Sequence, residues 1–176
     1  MNLRATFRKL PASVQDTVRD AVYPSLLPEG ETAPEWHLQS WDDSWHRHGK
    51  HWSVIFFYAD PDDASDHEEL TALQANRQDF HRLNTRLFAV NPAEGPRQAE
   101  LARQLGLEFP LLTDRGGPVA RLFKSCLQLP MKPVYFSSLY LINPDRKVRL
   151  SNRGRPSVEA VVRSIEALQR ATRAGM

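Results

Sequence analysis

Cysteine is scarce in this sequence: among its 176 residues, only Cys126 carries a thiol. An internal disulfide is therefore excluded, and any dithiol chemistry would need a second molecule. The sequence also lacks an apolar run long enough to cross a bilayer. Residues 1–10 lack the apolar stretch and small-residue cleavage site of a secretory signal. We expect a cytoplasmic protein with no membrane contact, because a lone thiol suits a reducing compartment.

A strong net charge is absent as well, since 23 Lys and Arg face 21 Asp and Glu. The charges are unevenly distributed, however. Residues 60–69 hold six acids and no Lys or Arg, whereas residues 146–176 hold eight basic residues and only two acids. A basic end can attract nucleic acid or a second copy of the chain. No aromatic residues interleave these arginines, so we do not expect nucleic acid as a partner.

The length and the distribution of proline predict one compact domain with a short extension. Residues 1–29 combine an amphipathic helix, with Val14, Val18 and Val22 at a spacing of four, and a Pro-rich linker. We predict that these residues form an N-terminal helical extension. Residues 30–176 are long enough for a single domain with its own core, which needs no staple or metal for stability.

Strand-like and helix-like patterns alternate along residues 30–176. The run WSVIFFYA at 52–59 is apolar throughout, which is typical of a central strand that is covered on both faces. The other predicted strands are 87–90, 109–114, 134–143 and 147–151, and the predicted helices are 65–83, 97–105, 118–123 and 157–173. This order predicts an α/β fold with a central mixed sheet flanked by helices.

Four phrases add a family resemblance to this pattern. They are GETAPEWHL (30–38), VIFFYADPDDASDHEEL (54–70), LARQLGLEFPLLTDRGGPVARLF (101–123) and SSLYLINPDRKVR (137–149). Together they resemble the alkyl hydroperoxide reductases and thiol-specific antioxidant proteins, the peroxiredoxins. The resemblance implies a thioredoxin-like fold of the peroxiredoxin type.

The active-site pattern of that family is altered here. The family has Phe-Tyr-Pro, then Thr, two residues and the peroxidatic Cys, with Glu three residues later, and an arginine on a later strand. The corresponding positions hold Phe57, Tyr58, Ala59, Asp63, Asp66, Glu69 and, for the arginine, Ser137. The resemblance therefore implies an active site at Asp63, Asp66, Glu69 and Ser137 in which Cys, Thr and Arg are replaced.

These replacements matter because the family reaction starts from a thiolate that attacks a peroxide oxygen, aided by a helix N-terminus and an arginine. A carboxylate cannot perform that exchange. In one interpretation, Asp66 is a permanent anion where the family has a thiolate. In the other, Asp63 or Ser65 caps the helix and Asp66 merely complements the helix dipole. We predict a degenerate domain that acts as a non-peroxidase binding or regulatory protein.

Two enzymatic alternatives remain open. Cys126 is the only redox residue of a possible thiol-dependent antioxidant oxidoreductase, with Lys124 lowering its pKa and an external thiol resolving it. A buried cysteine acting as a small apolar side chain is the competing interpretation. Asp66 with His67, or Asp66 with Glu69, is a candidate acid–base pair of a hydrolase or lyase.

Other clusters have simple explanations. The acidic stretch DPDDASDH (60–67) lacks the spacing of a calcium loop, and His46, His48 and His51 alternate in a turn. We expect neither a metal nor a cofactor. Four tryptophans at 36, 41, 45 and 52 predict packing under the first hairpin or a binding surface. As partners we expect a protein or a thiol reductant, and a homodimer of the chain itself.

Overall fold

The computed structural model describes residues 24–129 and 133–175. The strands are β1 His37–Ser40, β2 Trp45–Arg47, β3 Trp52–Phe57, β4 Thr85–Asn91, β5 Leu111–Thr113, β6 Cys126–Gln128, β7 Pro133–Tyr135, β8 Ser138–Ile142 and β9 Val148–Arg153. The helices are α1 Ala64–Ala75, α2 Arg77–Arg82, α3 Gly95–Leu105, α4 Pro118–Leu122 and α5 Val158–Ala174. The helix predicted around Val14 to Val22 lies outside the described residues.

Seven strands form one mixed sheet in the order β2-β1-β5-β4-β3-β8-β9. Strand β3 runs parallel to β4 and antiparallel to β8, and β4 runs parallel to β5. Strands β6 and β7 form a separate antiparallel pair. All six residues of β3 are buried, which confirms the central strand predicted from its apolar run.

The side chains of β3 alternate between two core clusters, one on each face of the sheet. Val54 and Phe56 pack with helices α1, α3 and α5 on one face, where Ile165 of α5 is fully buried. Ile55 and Phe57 face the other cluster. Full burial of such side chains stabilises the fold by about 1.5–3 kcal/mol each. The last helix therefore packs on the sheet, as its apolar stripe predicts.

Two boundaries differ from the sequence prediction. The single helix predicted over 65–83 is interrupted at Asn76, whose Nδ2 donates to the Ala72 carbonyl over 2.9 Å. An asparagine that bonds locally in this way competes with helix propagation. The strand predicted over 134–143 is divided between β7 and β8, because the first half pairs with β6 in the separate two-stranded sheet whereas the second half pairs with β3 and β9.

The Pro-rich segment before the domain lies against it. Leu26 and Leu27 pack on the second core cluster, and the Leu27 amide donates to the Tyr140 hydroxyl over 3.2 Å. Arg153 Nη2 donates to the Pro24 carbonyl over 2.7 Å. Residues 24–28 are thus attached to the sheet, while the boundary at residue 30 stays a prediction.

The four tryptophans divide evenly between core and surface. Trp36 and Trp52 are buried, whereas Trp41 and Trp45 keep 44% and 59% of their surface exposed. The core-packing interpretation therefore holds for two of them. Within residues 24–129 and 133–175, no helix has both the length and the apolar character needed to cross a membrane.

Candidate functional site

Helix α1 begins beside the end of strand β3, and Asp63 caps it. Asp63 Oδ1 accepts hydrogen bonds from the amides of Ser65 (2.9 Å) and Asp66 (3.2 Å). A carboxylate at this position satisfies amides that have no partner within the helix and complements the positive end of the helix dipole. Of the two caps suggested by the sequence, Asp63 rather than Ser65 performs this role.

Asp66 is fully buried, and both of its oxygens are saturated. Oδ2 accepts from the amides of Ala59 (3.0 Å) and Asp60 (3.1 Å), which follow strand β3. Oδ1 accepts from Ser137 Oγ (2.7 Å) and Arg155 Nε (3.0 Å). A carboxylate has about four acceptor positions, so none remains for a further donor.

Arg155 supplies the positive charge of the site, and the sequence analysis missed it. The residue lies between β9 and α5, 89 positions after Asp66, and its side chain is 34% exposed. Its Nη2 also lies 3.4 Å from Asp63 Oδ1. The position at which the resemblance implies the family arginine holds Ser137, but a guanidinium reaches Asp66 from another segment.

Ser137 reaches Asp66 because of the register of the sheet. Ser138, the first residue of β8, pairs with Phe57, the last residue of β3, so Ser137 lies just beyond the end of β3. The Ser137 carbonyl accepts from the Gly154 amide over 2.6 Å, which also brings the neighbouring Arg155 to this end of the sheet. The structure thus joins Asp63, Asp66 and Ser137 in one cluster with Arg155.

Glu69 and Tyr58 lie beside this cluster with unsatisfied polar atoms. Both residues are buried, and neither Glu69 Oε1 nor the Tyr58 hydroxyl has a hydrogen-bond partner among the described residues. Burial raises the pKa of Glu69 to about 7, with Arg155 opposing the shift and the charge of Asp66 adding to it. Burial and the charge of Asp66 also raise the pKa of Tyr58.

Cys126 lies elsewhere, at the start of strand β6 rather than on the predicted loop. The residue is buried and pairs with Tyr135 of β7. Burial raises the pKa of its thiol; Arg121, not Lys124, is the cation that opposes this shift, and Asp114 adds to it. None of these groups belongs to the Asp66 cluster. The thiol is thus in the environment of a small buried side chain.

The acidic stretch at 60–67 is partly neutralised by two arginines. Asp62 pairs with Arg97, while Asp63 and Asp66 pair with Arg155. The ring of His67 is hydrogen-bonded to the Pro61 carbonyl, with 2.7 Å between Nε2 and the oxygen.

The histidines also fail to form a metal site. Burial is the main cause that lowers the pKa of His46, His48 and His51. Within the part of the chain that the structure describes, no three His, Cys, Asp or Glu side chains are placed to hold a metal ion.

The sheet order and the cluster at the start of α1 define a thioredoxin-like α/β domain with a polar site where β3 meets α1. The sequence model of the AhpC/TSA family matches residues 30–151, more than half of the chain. This chain therefore belongs to the AhpC/TSA family. Among curated protein sequences, none matches it at a significant level.

Solved peroxiredoxin structures share the fold at low sequence identity. Peroxidoxin BcpB from Mycobacterium tuberculosis is 20% identical, with 80% of this chain and 97% of that chain covered at a TM-score of 0.75. AhpC from Enterococcus faecalis is 19% identical, with 84% and 96% covered at a TM-score of 0.73. A variant of PrxQ from Xylella fastidiosa is 18% identical, with 83% and 99% covered at a TM-score of 0.75.

The raised pKa of Glu69 predicts a specific pH dependence of stability. In the folded state the pKa of Glu69 is about 7, against an ordinary value of 4.5. Between these two pH values the folded state binds more protons than the unfolded state, so the free energy of unfolding falls as pH rises. Glutamine does not titrate, so Glu69→Gln lacks this loss. Its free energy of unfolding should rise by about 1–2 kcal/mol relative to that of wild type as pH increases from 5 to 8, after allowance for solvent screening.

Urea unfolding at several pH values measures this difference. Glu68→Gln is the matched control, because Glu68 is the exposed neighbour on the same helix, and it should follow the wild-type profile. Parallel pH profiles for Glu69→Gln and wild type would mean that Glu69 is ionised in the folded state across the whole range.

Proposed function

We propose that this chain is a degenerate member of the AhpC/TSA family that does not reduce peroxides and acts as a binding or regulatory protein. The observation that carries the proposal is the state of Asp66. A fully buried carboxylate, ion-paired with Arg155 and saturated by four donors, lies at the start of α1, at the position where the family resemblance implies the peroxidatic cysteine.

The chemistry of peroxide reduction supports this proposal. In the family reaction the thiolate sulfur donates an electron pair to one peroxide oxygen, and the O–O bond breaks. The sulfur becomes a sulfenic acid, and the other oxygen leaves as an alkoxide or hydroxide that takes up a proton. A carboxylate has no comparable two-electron donor atom. Asp66 therefore supplies the charge of the thiolate without its chemistry.

The fixed charge of Asp66 also supports a binding role. A family thiolate changes its charge and hydrogen bonds when it is oxidised, and the surrounding segments can respond to that change. Here the carboxylate joins α1, the end of β3, Ser137 and Arg155 through contacts of 2.7–3.1 Å. The surface around the site thus keeps one arrangement under oxidising and reducing conditions, as a constitutive partner would require.

The two enzymatic alternatives have less support. A redox role for Cys126 would need a reactive thiolate, and burial raises the pKa of this thiol. An acid–base role for Asp66 would need a free acceptor, and its oxygens already accept four hydrogen bonds. Glu69 has the raised pKa of a general acid, but a buried carboxyl without a reacting group beside it performs no reaction.

Location and association complete the proposal. A cytoplasmic location agrees with the single thiol of the sequence. We also propose a homodimer, and a protein partner rather than a thiol reductant as the main ligand of the site. The acidic stretch at 60–67 is a weaker contact surface than its composition indicates, because three of its carboxylates form ion pairs with Arg97 or Arg155.

Peroxide consumption tests the proposal directly. Wild-type protein and Cys126→Ser should both fail to accelerate the loss of hydrogen peroxide or of an alkyl hydroperoxide, with thioredoxin or dithiothreitol as reductant. The two proteins differ only at the one thiol of the chain. Activity of the wild type that disappears in Cys126→Ser would contradict the proposal and identify a one-cysteine redox enzyme.

Replacing Asp66 by cysteine separates thiol activation from peroxide reduction. In a Cys126→Ser background, Asp66→Cys places a thiol at a helix N-terminus beside Arg155, and both lower the thiol pKa. The pKa of this thiol, measured from the ultraviolet absorbance of its thiolate, should lie well below that of Cys126 in wild type. Peroxide turnover should nevertheless stay low, because Asp63 places a carboxylate where the family has a threonine hydroxyl.

The control for this variant adds Asp63→Thr to Asp66→Cys. A hydroxyl can both donate to the peroxide and cap the helix, so the double replacement should raise the rate of peroxide reduction by at least about tenfold over Asp66→Cys. Efficient turnover by the single replacement would show that Asp63 does not limit the site.

A further inference from the structure

A second polar site lies at one end of the sheet, away from the Asp66 cluster. A cavity of about 490 Å³ opens between the segment before β1, the β2–β3 connection and the β8–β9 turn. Its volume lies within the range of small-molecule sites. Its lining includes Glu35, Trp36, Arg47, His48, Lys50 and Arg146.

The lining of this cavity carries an excess of positive charge. Arg47, Lys50 and Arg146 contribute three cations, against the single carboxylate of Glu35. Neither Arg47 nor Lys50 forms an ion pair with any acid among the described residues, and both side chains are exposed. Asp145 is in the same turn as Arg146 but does not line the cavity. Two uncompensated cations at one concave site favour an anionic ligand.

Arg146 is fixed in place before any ligand binds. Its Nη2 and Nε donate to the Ala33 carbonyl over 2.9 and 3.3 Å, and its Nη1 pairs with Glu35. A side chain that is already ordered loses little conformational entropy when it contacts a ligand. The pairing with Glu35 also means that a ligand anion competes with this carboxylate for the guanidinium.

Two ring side chains add polar groups to the same lining. The Trp36 indole nitrogen is buried and has no hydrogen-bond partner among the described residues. An indole N–H can only donate, so an acceptor is the group that would satisfy it. His48 Nδ1 lies 3.3 Å from Ser53 Oγ, and burial lowers the pKa of His48 while the carbonyls of Asn143 and Pro144 oppose this shift.

We propose that this cavity binds a small molecule that carries a phosphate group. A phosphate brings a charge close to −2 at neutral pH and three strong acceptor oxygens, which match the two unpaired cations of the lining and the fork of Arg146. A monocarboxylate would neutralise only half of the excess charge. The site shares no residue with the Asp66 cluster, so this proposal does not depend on the proposed function.

Pyrophosphate is the probe for this site, measured by isothermal titration calorimetry on the full chain at low salt. Arg47→Gln combined with Lys50→Gln removes the two unpaired cations and should weaken binding by about tenfold or more. The matched control is Arg163→Gln combined with Arg170→Gln. It removes the same charge from exposed positions of α5, outside the cavity, and should leave the affinity within about twofold.

Glu35→Gln provides a test in the opposite direction. This variant removes the carboxylate that competes for Arg146, so pyrophosphate should bind several-fold more tightly than to wild type. The indole N–H resonance of Trp36 should shift on titration in both proteins, which locates the ligand.

Three results would overturn the proposal. The first is the absence of pyrophosphate binding to wild type, and the second is an equal loss of affinity in the cavity and control variants. The third is preferential binding of a single-stranded oligonucleotide that is abolished by the cavity variant, since this would make the cavity part of a nucleic-acid surface.

Discussion

The ion pair between Asp66 and Arg155 is the interaction on which the polar end of this domain depends. Asp66 belongs to α1, Arg155 to the connection before α5, and the remaining donors come from the end of β3 and from Ser137. Three stretches of the chain, namely residues 59–66, Ser137 and Arg155, are thus joined at one carboxylate. A charge with no exposure to solvent is tolerated only when it is paired and hydrogen-bonded, and Asp66 satisfies both conditions.

The replacements at the family positions are physically consistent with each other. A carboxylate at 63 caps the helix, a carboxylate at 66 accepts four hydrogen bonds, and the hydroxyl of Ser137 donates one of them. Arg155, from a different segment, forms ion pairs with both carboxylates. Asp63, Asp66, Ser137 and Arg155 therefore form one hydrogen-bonded unit, as the binding role proposed above requires.

The surface beyond this unit has a different electrostatic character. Around α1, three of the four aspartates of residues 60–67 form ion pairs with Arg97 or Arg155, whereas Arg47 and Lys50 at the other site have no acidic partner in the described chain. In the sequence, the acidic stretch is the more conspicuous of these two charged features. Pairing in three dimensions, rather than local composition, decides which charges are available to a ligand.

Local patterns predicted those parts of the fold that depend on local sequence. The apolar run of β3, the helix α3 that ends before the left-handed Gly106, and the stripe of α5 were all recognisable, and the family phrases indicated Asp63, Asp66, Glu69 and Ser137 as neighbours. Arg155 was not predictable, because 89 residues separate it from Asp66 and no spacing rule connects them. The break at Asn76 and the strand that contains Cys126 likewise depend on tertiary contacts.

The central claim is that Arg155 holds the charge of Asp66 in the place of a thiolate. A double-mutant cycle with Asp66→Asn, Arg155→Met and the combined variant measures this coupling through the free energies of unfolding in urea. The account predicts a coupling of about 1.5–3 kcal/mol, because Arg155→Met leaves the buried Asp66 carboxylate without its counter-ion, and this penalty is absent once Asp66 is replaced by the neutral asparagine. A coupling near zero would contradict it, since Asp66 would then be held by Ser137 and the backbone amides alone.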